Sequence, residues 1–338
     1  MMILVGCKYH QLVNEMNKRN LAFDSREPQR QDNLGREKHR FQLKNTLGEN
    51  LSFTKSQDDS PISLIRKLRS SGINDDISFW NEHRLAATDL ITISYILFYT
   101  HLIARGTVIF FVPISFFISL GAFFVHPFND ALEVFVHLNT MSALYVLMPF
   151  GSTWFFLWLL FEKFPASLAH KLVRKKHELN RQTGMVSLYG NDEDVIYSHP
   201  FVEFDCRLFS STNQYGHLSF GIALVHRYCD YSQHVTIGEM IGSTHPDDHK
   251  RLWNVIQQYM DVSQPLPDLP LLEAFRSKDP TTAAYDKEIG RDPKYWRSMS
   301  DKEFDQVVAQ MAENQKHIPP LGKPINIYAQ TPEEIHVV

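Results

Sequence analysis

Two stretches of this chain lose every charged position, and they lie close together. Gly106 to Val125, GTVIFFVPISFFISLGAFFV, runs 20 residues without a charge, and Met141 to Phe161, MSALYVLMPFGSTWFFLWLLF, runs 21. At about 1.5 Å rise per residue, a helix of either length covers a hydrocarbon core of about 30 Å. Core helices of soluble proteins keep a polar face over such lengths. The pattern therefore predicts two transmembrane helices, and Trp154 and Trp158 near the end of the second suit a membrane interface.

The segment between them, His126 to Thr140, contains Asp130 and Glu133 but no Lys or Arg. Arg84 and Arg105 precede the hairpin, and Lys163, Lys171, Arg174, Lys175 and Lys176 follow it. The positive-inside rule then puts both termini in the cytoplasm of a bacterial-type inner membrane and the 126–140 loop outside.

Outside the hairpin the pattern is polar and the mean hydropathy of the chain is negative. Residues 1–60 carry charges of both signs and few aliphatics, which predicts a weakly ordered tail. Its first residues, MMILVGC, have the form of a lipoprotein cleavage box but lack the basic and apolar stretches of a signal peptide. Ile62, Leu64, Ile65 and Leu68 alternate with Arg66, Lys67 and Arg69, which predicts a short basic helix opening a cytoplasmic or interfacial region over 61–105. Leu85 to Ala104 is nearly apolar enough to span, yet holds Asp89 and His101; the preferred reading is an interfacial helix leading into the first span. Ser115, Ser119 and Ala122 share one face of that span and would allow close helix approach.

Past the hairpin, Leu168, Leu172 and Val173 oppose a basic cluster, which predicts a juxtamembrane helix over 162–181. Lys171, Arg174, Lys175 and Lys176 would meet lipid head groups there. Residues 182–262 then change period. MVSLY, VIY, FVEFDCRLF, HLSFGIALVHRY and HVTIGEMI predict an antiparallel meander or small barrel of about five strands, closed by a helix that opens at Thr244-His245-Pro246-Asp247-Asp248. Residues 263–338 read as a helical C-terminal extension, with a capping box at Ser300 and Glu303. The fold class expected is thus an α+β membrane protein.

Candidate chemistry is sparse. The 34 basic and 38 acidic residues nearly balance, which argues against nucleic-acid binding. Three cysteines without a CxxC pair fit a reducing compartment and imply no disulfide framework. Asp130, Glu133 and His137 fall on one helical face, where a carboxylate and imidazole group can relay protons. His245 and His249 have the i, i+4 spacing of paired zinc ligands but no HExxH glutamate and no third ligand. His226 and Cys229 form an HxxC with no second half. No catalytic residue, metal or cofactor is assigned on these patterns.

With its hairpin, its basic exit segment and the phrase LNRQTG at 179–184, the chain resembles a group of proteobacterial two-span inner-membrane proteins encoded among type VI secretion and effector genes. The resemblance covers about Trp80 to Tyr259 and brings no catalytic residues. The β-rich region after LNR also resembles membrane-linked pleckstrin-homology-like modules, which implies a small barrel capped by a helix. These resemblances imply a membrane-anchored interaction module with a protein partner, such as a secretion accessory or an immunity protein; a homo-oligomer stays open. The alternative is an enzyme or transport accessory using Asp130, Glu133 and His137 or the histidines.

Overall fold

The computed structural model describes residues 22–29, 48–55, 59–70, 80–163, 172–191, 194–212, 218–237, 245–329, 331 and 334–335. In chain order the elements begin with β1 (Gly48–Leu51), α1 (Ile62–Ser70) and β2 (Arg84–Leu90). The helices α2 (Thr92–Leu120), α3 (Ala122–Val125), α4 (Phe128–Ser142) and α5 (Met148–Lys163) follow, with a π turn at Ala143–Leu147. Strands β3 (Val173–Asn180), β4 (Met185–Tyr189), β5 (Val195–Pro200), β6 (Phe204–Thr212), β7 (Leu218–His226) and β8 (Val235–Ile237) come next. The chain then forms α6 (Pro246–Met260), α7 (Glu273–Arg276), α8 (Pro280–Ile289), α9 (Tyr295–Ser298) and α10 (Asp301–Gln315). It divides into two compact units, one of residues 88–175 and one of residues 1–87 and 176–338.

The strands form two four-stranded sheets, ordered β1-β6-β7-β8 and β2-β3-β4-β5. Alternation predicts both: Val186 and Leu188 in β4, and Phe204, Cys206 and Leu208 in β6, are buried while their neighbours are not. The five strands read from the sequence are all present, but they divide between two sheets, and each sheet recruits strands from outside 182–262. One meander runs β3 to β5, the other β6 to β8, and α6 packs on β6 and β7. In the chain, the long helices are an insertion between β2 and β3, the first two strands of their sheet.

The motif LNRQTG is a turn with three structural duties. Leu179 is buried in the core, and the Asn180 side chain accepts the Thr183 amide at 3.0 Å. Gly184 has φ of 65°, which an L side chain disfavours, and lets β4 follow. Arg181 is buried and donates to the carbonyls of Tyr259, Asp261 and Gln264 at 2.5, 2.7 and 2.7 Å, so a cation closes the C-terminal end of α6.

Helix α6 is buried on every side from Arg251 to Met260. Much of its cover comes from the segment expected to be a loose tail. The Trp253 indole donates to the Ser52 carbonyl at 2.8 Å, and the Thr54 amide donates to Gln257 at 2.7 Å. Phe23 and Phe53 join Phe201 and Trp253 in an aromatic cluster with ring centroids 5.3 to 5.9 Å apart. Phe23, Leu51 and Phe53 of this stretch are therefore core, because sparse large apolar residues rather than periodic aliphatics do the packing. Residues 263–338 are likewise no appendage. Leu266, Leu269, Leu272, Trp296, Phe304, Val308, Ile325 and Ile327 belong to the same core, and the Ser300 and Glu303 capping box forms as expected. Helix α1 forms as read and packs inward, with Arg69 donating to the Trp296 and Met299 carbonyls at 2.5 and 2.8 Å.

In the unit of residues 88–175, two apolar helical stretches extend over Thr92–Val125 and Phe128–Lys163, 34 and 36 residues long, each long and apolar enough to cross a membrane. Only 6% of each stretch's most apolar part is buried. The expected spans, 106–125 and 141–161, lie inside these helices. Leu85 to Ala104 is not an interfacial helix: it divides into β2, whose Leu85 and Ala86 are buried, and the first turns of α2. The expected 126–140 loop shrinks to His126 and Pro127, after which the chain is helical. Ser119 and Ala122 are buried, Ser115 and Ser142 share a hydrogen bond of 2.9 Å, and Asn139 donates to Ser119 at 2.7 Å. The small-residue face is thus the packing face, as its spacing suggests. At the open end, the Leu172 carbonyl accepts from both the Ile91 amide and the Ser94 hydroxyl, at 3.1 and 2.6 Å, so entry and exit of the hairpin adjoin.

The basic segment expected to be a helix over 162–181 is strand β3 from Val173 onward. His177 and Leu179 are buried alternately, and pairing with β4 outweighs the apolar spacing of Leu168, Leu172 and Val173 that suggested a helix.

Candidate functional site

The crossing from one sheet to the other brings His199, Glu203 and His226 together as a buried polar cluster. Strand β5 ends at Pro200, and a single 3-10 turn, Phe201–Glu203, delivers the chain into β6. Strand β7 pairs with β6 so that His226 lies opposite Phe204, one residue past Glu203. His199, from the end of β5, and His226, from the end of β7, thereby meet with ring centroids 4.0 Å apart. Arg227 fastens the turn: its side chain reaches Asp205 at 2.7 Å and the Val202 carbonyl at 3.0 Å.

Hydrogen bonds assign the ring faces. His226 Nδ1 accepts the Cys229 amide at 2.9 Å, so its proton resides on Nε2, which donates to Glu203 Oε2 at 3.1 Å. The same carboxylate oxygen lies 3.7 Å from His199 Nδ1. His199 Nε2 is 2.7 Å from the Tyr231 hydroxyl, and Tyr231 stacks on Tyr197 with centroids 4.3 Å apart. One ring nitrogen of each histidine and the Cys229 sulfur lie within 4.8 Å of one another, the one grouping of metal-ligand type among the described residues. Burial, with His226 beside it, pushes the His199 imidazole down to about 3, and burial pushes the Tyr197 phenol up. His199 is therefore neutral at physiological pH, with a lone pair to offer.

The sequence offers the pair His226 and Cys229 by spacing but not its partner. His199 comes from a different sheet, and its only local signal is Glu203 four residues later. The other candidates fall elsewhere. Asp130, Glu133 and His137 lie on α4 and are exposed. Lys171 lies outside the described residues, while Arg174, Lys175 and Lys176 occupy β3, where neighbouring side chains point to opposite faces instead of forming one stripe. Arg174 pairs with Asp89 at 3.7 Å. His245 is the N-cap of α6, accepting the Asp247 amide at 3.3 Å, and His249 is buried and bonded to the His245 carbonyl at 3.0 Å. These two histidines serve the helix start, and Thr244 lies outside the described residues. Cys206 is buried, and burial pushes its thiol up, so it is inert.

These features define a mixed α+β chain with two apolar helices of membrane-crossing length and a cluster of two buried histidines, a buried glutamate and a half-buried cysteine. Comparison with family models, curated proteins and solved structures found no match.

Proposed function

We propose that the protein is a membrane-anchored interaction module, held by the hairpin at the cytoplasmic face of a bacterial inner membrane. One observation carries the reading: both long helices leave almost all of their apolar surface uncovered, including Phe110, Phe117, Phe124, Phe155 and Phe156. In water such a surface would associate or aggregate, whereas in lipid it is at rest. Adjacency of the hairpin's entry and exit fits a re-entering anchor, and the basic residues beyond those ends against a tip without Lys or Arg favour a cytoplasmic location for both termini.

Two antiparallel sheets, β2 to β5 and β6 to β8, the second extended by β1, followed by α6 packed on β6 and β7, support the pleckstrin-homology-like reading. On this reading the hairpin interrupts the module after its first strand, and a protein partner, a secretion component or a toxin to be neutralised, binds the α+β unit. Photocrosslinking in cells from exposed positions such as Leu218 on β7 tests it. A specific protein adduct, together with cleavage of the C-terminal end by protease in inside-out vesicles, is the expected result. Adducts with lipid alone, or protection of that end, would overturn it.

A further inference from the structure

We propose that His199, His226 and Cys229 bind a divalent transition ion of the zinc class. The argument is independent of the membrane reading and rests on how the three donors are held. Two imidazoles and a thiol form a borderline-soft donor set, which suits zinc and its neighbours and not magnesium or calcium, which take oxygen donors.

Glu203 supplies the element that distinguishes a ligand site from a pair of packed histidines. Its Oε2 receives His226 Nε2 at 3.1 Å and lies 3.7 Å from His199 Nδ1, so one buried carboxylate addresses the outward nitrogen of both rings. Metal-ligating histidines characteristically give their second nitrogen to a carboxylate, which fixes the tautomer and raises ligand basicity. The nitrogens left to face a metal are His226 Nδ1 and His199 Nε2. These are the nitrogens that meet the Cys229 amide and the Tyr231 hydroxyl.

Distances permit the ion with a small local movement. One ring nitrogen of each histidine and the Cys229 sulfur lie within 4.8 Å of one another, and tetrahedral ligands at zinc bond lengths stand about 3.3 to 3.8 Å apart. Cys229 is the donor with most freedom to close the gap, since it follows β7 in a bend and is half-buried, whereas both histidines lie at strand ends and are buried. On binding, Cys229 releases its thiol proton to solvent, His226 Nδ1 exchanges the Cys229 amide hydrogen bond for the metal, and His199 Nε2 likewise exchanges the Tyr231 hydroxyl. Three protein donors would leave the fourth position to water or another ligand.

The test uses the full chain, purified in detergent and stripped with chelator, with Co²⁺ as the spectroscopic stand-in. The expected result is a thiolate-to-cobalt charge-transfer absorption that saturates at one equivalent and is displaced by Zn²⁺. Cys229→Ser, at a half-buried bend, should fold with an unchanged melting curve and lose the absorption. Glu203→Gln should weaken binding by roughly 10 to 100-fold, as removal of a supporting carboxylate does elsewhere. No thiolate absorption in the unsubstituted chain, or its persistence in Cys229→Ser, would overturn the proposal.

Discussion

Arg181 and Asp279 form a buried ion pair, Nε to Oδ1 at 3.2 Å, that joins the turn after β3 to the start of α8. The arrangement is shared on both sides. Asp279 also accepts the Thr282 amide at 2.9 Å as the N-cap of α8, while Arg181 holds the last carbonyls of α6. Removing the guanidinium would leave a buried carboxylate and several carbonyls without a donor. Arg181→Leu should therefore lower the unfolding free energy by about 3 to 5 kcal/mol. Arg181→Lys should recover little, because one ammonium cannot reproduce the planar fork. Denaturant midpoints of the purified chain measure this, and a loss below about 1 kcal/mol would show that the pair is expendable.

His177 is the weak point of the same unit at low pH. It is buried in β3, neither ring nitrogen has a hydrogen-bond partner among the described residues, and burial pushes it down to about 4. The folded state holds the neutral ring, whereas the unfolded chain takes up a proton near pH 6.5. Stability from this group is fully present above about pH 6.5 and falls with acidification by about 1.4 kcal/mol per pH unit, until the folded ring protonates near pH 4. His177→Leu, similar in volume and apolar, should flatten the stability profile between pH 6.5 and 4. An unchanged profile would place the acid sensitivity elsewhere.

Phe53 tests whether the N-terminal segment belongs to the core. Its ring packs between Phe23, Phe201 and Trp253, and its backbone carbonyl accepts the Ile325 amide at 2.9 Å. Phe53→Ala should cost about 3 to 5 kcal/mol, as for other buried aromatics. A surface tail would lose less than about 0.5 kcal/mol, so thermal unfolding separates the two.

What was legible in the sequence follows from the range of the forces involved. The hairpin, the five strands after Gly184 and the capped starts of α6 and α10 are written in local pattern and are present. Phe23, Leu51 and Phe53 give no local signal because their burial depends on residues far along the chain, Phe201, Cys206 and Trp253, and not on their neighbours. Strand β3 is not legible locally because the apolar spacing of Leu168, Leu172 and Val173 runs into its start and suggests a helix, whereas its strand state is decided by pairing with β4. His199 escaped for the related reason that the metal-type cluster is assembled by a crossing between sheets.

Asn139 ties the two long helical stretches through Ser119 at 2.7 Å, beside the Ser115 and Ser142 hydrogen bond of 2.9 Å. Interhelical hydrogen bonds in lipid average about 0.6 kcal/mol and reach about 1.7. Asn139→Ala should thus loosen the hairpin by about that amount and no more, since Phe116, Phe123 and Phe135 still pack between the helices. Steric-trap or denaturant unfolding in bicelles gives the measurement. Ser119→Leu should do greater harm, because Ser119 is wholly buried and a larger side chain would push the helices apart.

Asp130, Glu133 and His137 decide between an anchor and a working membrane site. All three are exposed on α4; on the proposed membrane reading they lie at the outer interface, where water screens their charges and supplies protons freely. A relay requires groups shielded from bulk water and set against a specific partner; exposed surface side chains contribute within about ±0.5 kcal/mol each. The triple alanine variant should accordingly keep its melting temperature and its crosslinking yield to the partner of the α+β unit. Abolished function with intact expression and crosslinking would instead assign the activity to the hairpin tip, because only chemistry or transport at that end could be lost while anchoring and partner binding persist.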